Sequence, residues 1–316
     1  MTTDATLSEL LETLISEGRL AVAAWPMELG TPEDLGLLTR GDSIFLRPNA
    51  ELLSPSHIHT SLSKRAARWL SSLEVLRVIG STNDRLMLLA ETESVDGVVC
   101  IAELQTKGRG RRGRTWFSPF AGSLALSLGV ALDRAVHDLG GLSLVVGLAV
   151  LDCLRDLGVA DLALKWPNDI FLGGRKLGGI LVELKSQPGA SAARVEAVIG
   201  IGLNVDVPAT VRGAIDQAVT DLVAEGYVVS RNVLAGRLVS SLVDYVKKFE
   251  RVGFAPMCDL FNDHHLLHRR TCEIAQGEGV VVGRVAGVTE VGEILLETDS
   301  GTLAFAAGEV SLRRQD

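Results

Sequence analysis

The sequence predicts an α+β fold: a central domain on a mixed or largely antiparallel sheet, a small β-barrel after it, and a short irregular unit before it. Three observations carry this. Between residues 97 and 205 several apolar, strand-like runs follow one another without a helix between them, unlike the strict strand–helix alternation of a doubly wound sheet. A long apolar helix is expected among them at 141–157. After His268 the chain breaks into five short strand-like runs separated by glycines, which suits a small barrel.

Taken in order, Leu7, Leu10, Leu11, Leu14 and Ile15 recur at helical spacing and Gly18 stops the run, so 6–17 reads as one amphipathic helix. Residues 21–55 are punctuated by proline and glycine, with a hairpin around Arg40, Gly41 and Asp42 leading into Ile44, Phe45 and Leu46. One or two helices over 54–73 and a strand at 73–79 open the main domain. Its further strands are expected at 97–103, 124–132, 163–166, 179–185 and 195–205, and helices at 232–252 and 256–267 close it. The barrel strands are expected at 272–275, 280–288, 294–297, 303–306 and 310–313. The division is therefore 1–60, 61–268 and 269–316.

With 47% hydrophobic and 22% charged residues, the 316-residue chain has a globular composition, and disorder or a disulfide scaffold does not fit. A net charge of −8 disfavours a surface that tracks nucleic acid throughout, while leaving room for a local basic site. Cys100, Cys153, Cys258 and Cys272 form no CxxC pair and read as reduced thiols. The first basic residue, Arg19, follows Asp4, Glu9, Glu12 and Glu17, the wrong polarity for a secretory or transit peptide, so a cytoplasmic protein is expected. The longest uncharged run, 115–132, contains Pro119 and alternates in polarity, so no membrane span is expected there.

The most unusual passage is Gly108-Arg109-Gly110-Arg111-Arg112-Gly113-Arg114-Thr115-Trp116. Four arginines so close together repel one another unless an anion sits among them, and the glycines free backbone amides to join in, so the passage suits a phosphate-bearing ligand. A solvated basic loop, or an arginine patch in which Trp116 and Phe117 stack on bases, are the alternatives. Its match to the dinucleotide pattern G-x-G-x-x-G is discounted because Phe117, Ser118 and Pro119 follow instead of a helix. Lys176, flanked by Gly173, Gly174, Gly178 and Gly179 at the entrance of an apolar strand, either points inward to bridge a carboxylate and a phosphate or sits on an exposed turn. Asn168 and Asp169, after Lys165-Trp166-Pro167, either help hold Mg²⁺ or are ordinary turn residues. Ser81, before Thr82, Asn83 and Asp84, reads as a helix N-cap with free amides beside it. His264, His265 and His268 lack a third ligand and read as an exposed helical face, so no structural metal is expected.

Taken together, Ser81-Thr82-Asn83, Gln105-x-x-Gly108-Arg109-Gly110-Arg111-Arg112-Gly113-Arg114-x-Trp116, Lys165-Trp166-Pro167-Asn168-Asp169 and Lys176-Leu177-x-Gly179-Ile180-Leu181 resemble the biotin–protein ligase family over roughly residues 73–316. The resemblance implies a ligase domain of the class II synthetase-like type with a C-terminal SH3-like barrel, and ATP-dependent, AMP-forming activation of biotin before its transfer to a carrier-protein lysine. It implies that Ser81, Thr82, Asn83, Gln105, Gly108, Arg109, Gly110, Arg111, Arg112, Trp116, Lys176 and Gly179 bind biotin or its adenylate, with Lys176 and Arg111 catalytic. Asn168, Asp169 and Arg313 are carried over toward the nucleotide and Mg²⁺. The implied partner is the biotin carboxyl carrier domain of a carboxylase, and a homodimer through the central sheet rests on the resemblance alone. Residues 108–116 are expected to order over the adenylate.

The departure lies at the N-terminus. Some family members carry a winged helix-turn-helix there and act as repressors. Here only one clear helix is expected within residues 1–50, and residues 1–60 hold nine acidic side chains against Arg19, Arg40 and Arg47, a net −6 that phosphate would repel. A ligase without operator binding is therefore expected. A bifunctional ligase and repressor, and a lipoate or octanoate ligase on the same scaffold, remain the alternatives.

Overall fold

The computed structural model describes residues 3–186, 194–213, 215, 217–276, 279–307 and 310–314. The leading unit contains helix α1 (Thr3–Glu17), strand β1 (Leu20–Ala21), short 3-10 turns at Val22–Ala24, Met27–Leu29 and Pro32–Leu35, and the hairpin β2 (Leu38–Arg40) and β3 (Ser43–Phe45). Its sheet has the order β1-β3-β2. The apolar face of α1 buries Leu7, Leu11 and Leu14 in a cluster with Leu37, Ile44 and Phe120. Leu52 packs against that cluster, whereas Leu53 and Ile58 join the main core.

The chain continues through α2 (Pro55–Thr60), α3 (Lys64–Trp69), β4 (Ser72–Ile79), α4 (Thr82–Leu89), β5 (Val98–Gln105), β6 (Ser123–Asp133), α5 (Leu142–Asp156), β7 (Leu162–Lys165), β8 (Asp169–Leu172), β9 (Arg175–Ser186), β10 (Arg194–Asn204), α6 (Ala209–Gly213), α7 (Arg231–Val252) and α8 (Cys258–His264). The sheet order is β4-β5-β6-β10-β9-β8-β7, parallel only between β4 and β5, so the mixed sheet expected from the sequence is what forms. Strand β8 is an addition. Its four residues lie between two turns, too short a run for periodicity to reveal.

Helix α5 is apolar on nearly all sides because it is the core helix, packed on α7 and on the sheet. The segment Val136–Asp156 that contains it is long and apolar enough to cross a membrane, but two-thirds of it (67%) is buried inside the protein. Helix α8 is shorter than the expected 256–267. His265 turns extended and bridges to Leu164, and Leu266 donates its amide to the Leu164 carbonyl at 2.7 Å. The histidine reading needs correction at this point: His265 is buried, stacked on Phe261 with ring centroids 5.5 Å apart, and His264 contacts Arg155. Among the described residues no group of three or more His, Cys, Asp or Glu could hold a metal ion. The four cysteines are free, and burial pushes the thiols of Cys100 and Cys153 up to about 12.

The terminal unit is an antiparallel sheet of β11 (Thr271–Gln276), β12 (Gly279–Val288), β13 (Ile294–Thr298), β14 (Gly301–Phe305) and β15 (Val310–Arg314), ordered β14-β13-β12-β11-β15. It shares the main core through Cys272, Ile274, Val285 and Leu296, and Trp166 Nε1 donates to the Gly292 carbonyl at 3.0 Å.

Candidate active site

The alternation that makes β6, β9 and β10 strands also makes a cavity. Residues 124, 126, 128 and 130 of β6, all large and apolar, face α5 and α7, while the opposite row carries Ala125, Ser127 and Gly129. In β10 Gly200 lies opposite Ser127 and Gly202 opposite Ala125, and in β9 Gly179 lies opposite Gly202. A floor of such small residues leaves a hollow of about 190 Å³. Two of its glycines have no room for a side chain: a Cβ on Gly200 would meet Asn83 Oδ1 at 2.1 Å, and one on Gly202 would meet the Trp116 ring at 2.4 Å.

At one end stands the start of α4. Ser81 caps it, accepting from the Asp84 amide at 3.3 Å. The Thr82 amide donates to Gln105 Oε1 at 2.8 Å, and Ser127 Oγ lies 2.8 Å from Thr82 Oγ1 and 2.6 Å from Asn83 Oδ1. Asn83 Nδ2 donates to the Leu181 carbonyl at 3.2 Å and to Glu183 at 2.9 Å. This end is a pre-ordered cluster of neutral polar groups.

The roof is the arginine passage, folded as a hairpin in which Gly110 N donates to Arg114 O at 2.7 Å and Trp116 N to Gly108 O at 2.9 Å. Gly108 supports the hairpin from outside the cavity lining, since a Cβ there would lie 2.4 Å from the Trp116 carbonyl. At the tip Arg112 has φ 57°, a left-handed conformation that costs a non-glycine residue about 1 kcal/mol or more. The four arginines divide. Arg109 is held by Asp84 and by Glu183 at 2.9 Å; burial works against its charge, but the two carboxylates outweigh this and raise its pKa. Among the described residues Arg111 instead meets only neutral acceptors, donating to Asn168 Oδ1 at 3.2 Å and to the Ala307 carbonyl of the terminal unit. Burial first, then the charges of Arg112 and Arg114, pull its pKa down, with Asp169 opposing.

Lys176 enters from the β8–β9 hairpin. Gly173 (φ 56°) and Gly174 (φ 76°) form its two-residue turn, a left-handed geometry that glycine adopts without strain. A bulge follows: Phe171 pairs with Lys176 but Ile170 with Gly178, so the extra residue, Leu177, goes into the core while Lys176 stays on the cavity side. The Lys176 side chain is 13% exposed, its Nζ 2.8 Å from Asp169 Oδ1 and 5.9 Å from the Trp116 ring centre. The side chain thus points into the cavity and does not sit on an exposed turn.

Of the residues singled out from sequence, Ser81, Thr82, Asn83, Gln105, Arg109, Gly110, Arg111, Arg112, Trp116, Asn168, Asp169, Lys176 and Gly179 line this one cavity. Arg313 pairs through its backbone with Glu273, and its side chain lies outside the described residues. Sequence reasoning passed over Ser127, Glu183, Gly200, Gly202 and Gln217. The spacing Gly200-Ile201-Gly202 within an apolar strand was the available signal for two of them. Among the residues that line the cavity, Arg109, Arg111, Arg112, Arg114, Lys165 and Lys176 face a single acid, Asp169.

A polar pole, a small-residue floor and a cationic roof define the class of site: a sheltered cleft for a ligand with a neutral polar end and anionic groups. The comparisons narrow it. The biotin/lipoate A/B protein ligase family matches residues 75–204, and the biotin protein ligase C-terminal domain matches residues 270–313. The chain is 36% identical over 264 residues to a bifunctional ligase/repressor BirA of Salmonella typhimurium, covering 83% of this chain and 79% of that protein. It is 36% identical over 245 residues to a biotin–[acetyl-CoA-carboxylase] ligase of Mycobacterium tuberculosis, covering 75% and 88%. Among solved structures, a biotin protein ligase from Aquifex aeolicus in complex with biotin and ATP aligns with TM-score 0.63 and 28% identity over 78% of this chain and all (100%) of that one. The chain belongs to the biotin–protein ligase family.

Proposed function

We propose that this chain activates biotin with ATP and transfers it to a lysine of a carboxylase's biotin carboxyl carrier domain. The observation that carries this is the cationic lining of the cavity, where Arg111, Arg112, Arg114 and Lys176 stand with Asp169 as the one acid among the described lining residues, beside a neutral polar pole. In the first step a biotin carboxylate oxygen attacks the α-phosphorus of ATP, the bond to the β-phosphate oxygen breaks, and pyrophosphate leaves. In the second, the carrier lysine amine, losing a proton, attacks the acyl carbon and AMP leaves. Ser81, Thr82, Asn83 and Gln105 would receive the neutral polar end of biotin, which puts its carboxylate toward Lys176 and Arg111.

The first step brings two anions together. One cation about 4 Å away offsets that by about 4 kcal/mol at an effective dielectric of 20, before desolvation. Lys176, exchanging Asp169 for the phosphate oxygens, and Arg111, exchanging carbonyl acceptors for charged ones, supply such contacts. Arg112 and Trp116 on the roof would shield the mixed anhydride from water. Asp169, as the single acid on the lining, suits a Mg²⁺ held mainly by the phosphates of ATP and offsetting their charge, and does not suit a protein-built metal cage.

The test is exchange of labelled pyrophosphate into ATP, with biotin, lipoate and octanoate compared. Exchange with biotin alone supports the reading, and exchange with lipoate instead would move the substrate while keeping the chemistry. For the leading unit we propose no operator binding: between β1 and β2 it has only 3-10 turns of three or four residues where a reading helix would lie. A salt-dependent gel shift of promoter DNA would reverse this. A cytoplasmic enzyme is the reading that its use of ATP and its four free cysteines support.

A further inference from the structure

Arg47, just beyond β3 in the leading unit, is the residue with the most unexpected reach. Its side chain is 10% exposed. Nε donates to the Gly36 carbonyl at 3.2 Å within its own unit, and Nη1 donates to the Asp206 carbonyl at 2.6 Å and ion-pairs with the Asp206 carboxylate. Asp206 follows directly on β10, the strand whose Gly200 and Gly202 floor the cavity. The amides of Val205 and Asp206 both donate to the Gly122 carbonyl, at 3.1 and 2.9 Å.

From Asp206 the chain passes through α6, which packs on the leading unit's 3-10 turn at Pro32–Leu35. It returns beside the catalytic hairpin. Lys176 N donates to Ala218 O at 3.0 Å, and Thr220 N donates to Lys176 O at 2.9 Å. The loop is closed on itself, since Asn204 Nδ2 donates to Thr220 O at 2.9 Å, Val223 N to Val205 O at 3.0 Å, and Arg212 ion-pairs with Asp221. Gln217, on the same return, lines the cavity. The backbone of Lys176 is thus gripped by β8 on one side and by 218–220 on the other, and the segment that does the second gripping is anchored to the leading unit at Arg47.

We propose that Arg47 is a positioning residue for the adenylation step: by holding Asp206, next to Val205 whose carbonyl takes the Val223 amide, it sets residues 217–223, and through them the backbone of Lys176 and the place of Gln217. This rests on the function proposed above. It gives the leading unit a part in the reaction that needs no DNA. The polar pole at Ser81 to Gln105 is carried by α4 and β5 and does not depend on this segment, so the effect should fall on the ATP half of the reaction.

The experiment uses the full chain with Arg47→Met, Arg47→Lys, Asp206→Asn and the Arg47→Met/Asp206→Asn double variant, measuring pyrophosphate exchange and thermal midpoint. A small misplacement of Lys176 should lower exchange kcat about tenfold or more and raise KM for ATP in Arg47→Met, leaving KM for biotin within about twofold. Arg47→Lys, which keeps the ion pair, should recover most of kcat, and the double variant should be no worse than the worse single. Wild-type kcat and KM for ATP in Arg47→Met, whatever its thermal midpoint, would overturn the proposal, as would an equal rise in KM for biotin. A wild type that exchanges only with another acid overturns the substrate assignment instead, and the variants are then scored on that acid.

Discussion

Two buried arginines show how differently the same side chain is used in this molecule. Arg231, at the start of α7, is 3% exposed and each of its three side-chain nitrogens has an acceptor: it ion-pairs with the fully buried Glu103 at 2.7 Å and donates to the carbonyls of Glu51 at 2.7 Å and Ser123 at 2.7 and 3.1 Å. The Leu53 amide completes Glu103, so the network locks the linker after the leading unit onto β5 and α7. Among the described residues Arg111 has only neutral hydrogen-bond acceptors, and burial first, then like-charged neighbours, depress its pKa. A satisfied charge holds a fold together and gains nothing from a new ligand. A charge with no counter-ion still has binding energy to give to an incoming anion.

The largest effect should come from breaking the satisfied site. Arg231→Met takes from the buried Glu103 its nearer counter-ion and leaves only Arg77 at 3.5 Å, so it should cost about 3 kcal/mol in denaturant unfolding, with exchange activity per folded molecule little changed; Glu103→Leu added to it should restore much of the loss. A stability change under about 1 kcal/mol would erase the contrast between the two arginines. Next, Lys176→Ala should lower exchange by about a hundred- to a thousand-fold through lost charge stabilisation, with near wild-type unfolding. Activity within threefold of wild type would remove Lys176 from the chemistry.

Gly202→Ala tests the floor. Its Cβ must push the Trp116 ring away, so a loss of about tenfold in exchange and about 1–3 kcal/mol in stability is expected, and an unaffected enzyme would show that the ring sits elsewhere. The smallest effect concerns His265, whose two ring nitrogens have no hydrogen-bond partner among the described residues. Burial first, then the charges of His268 and Lys165, depress its pKa from 6.5 to about 3. The unfolded chain therefore takes up a proton near pH 6.5 that the folded one refuses until about pH 3. Stability falls with acidification through that window by up to about 1.4 kcal/mol per pH unit. His265→Phe should flatten that slope and shift stability at pH 7 by about 1 kcal/mol or less; an unchanged slope would rule out His265 as its source.

Much of the fold was legible because strand alternation, helical spacing and capping are written locally. The cap at Ser81, the apolar run of α5 and the alternation of β6 needed no knowledge of their neighbours. The site was legible where chemistry is concentrated in one stretch, as in residues 108–116, or where glycines bracket a cation, as at Lys176. What stayed hidden depends on partners far apart in sequence. Glu183 joins the site only because Asn83 and Arg109 reach across the sheet to it. His265 looked exposed because a run of polar residues at the end of a helix gives no hint that the next turn bends into the core.

The sequence by itself therefore determined most of the secondary elements, the order of the parts and the cationic roof, since each follows from spacing within a few residues. Tertiary structure alone decided which arginine is neutralised and which left short of a counter-ion, which glycines lie under Trp116, and that Arg47 reaches Asp206. Those outcomes rest on sheet register and on contacts between segments up to 196 positions apart, which local patterns do not encode.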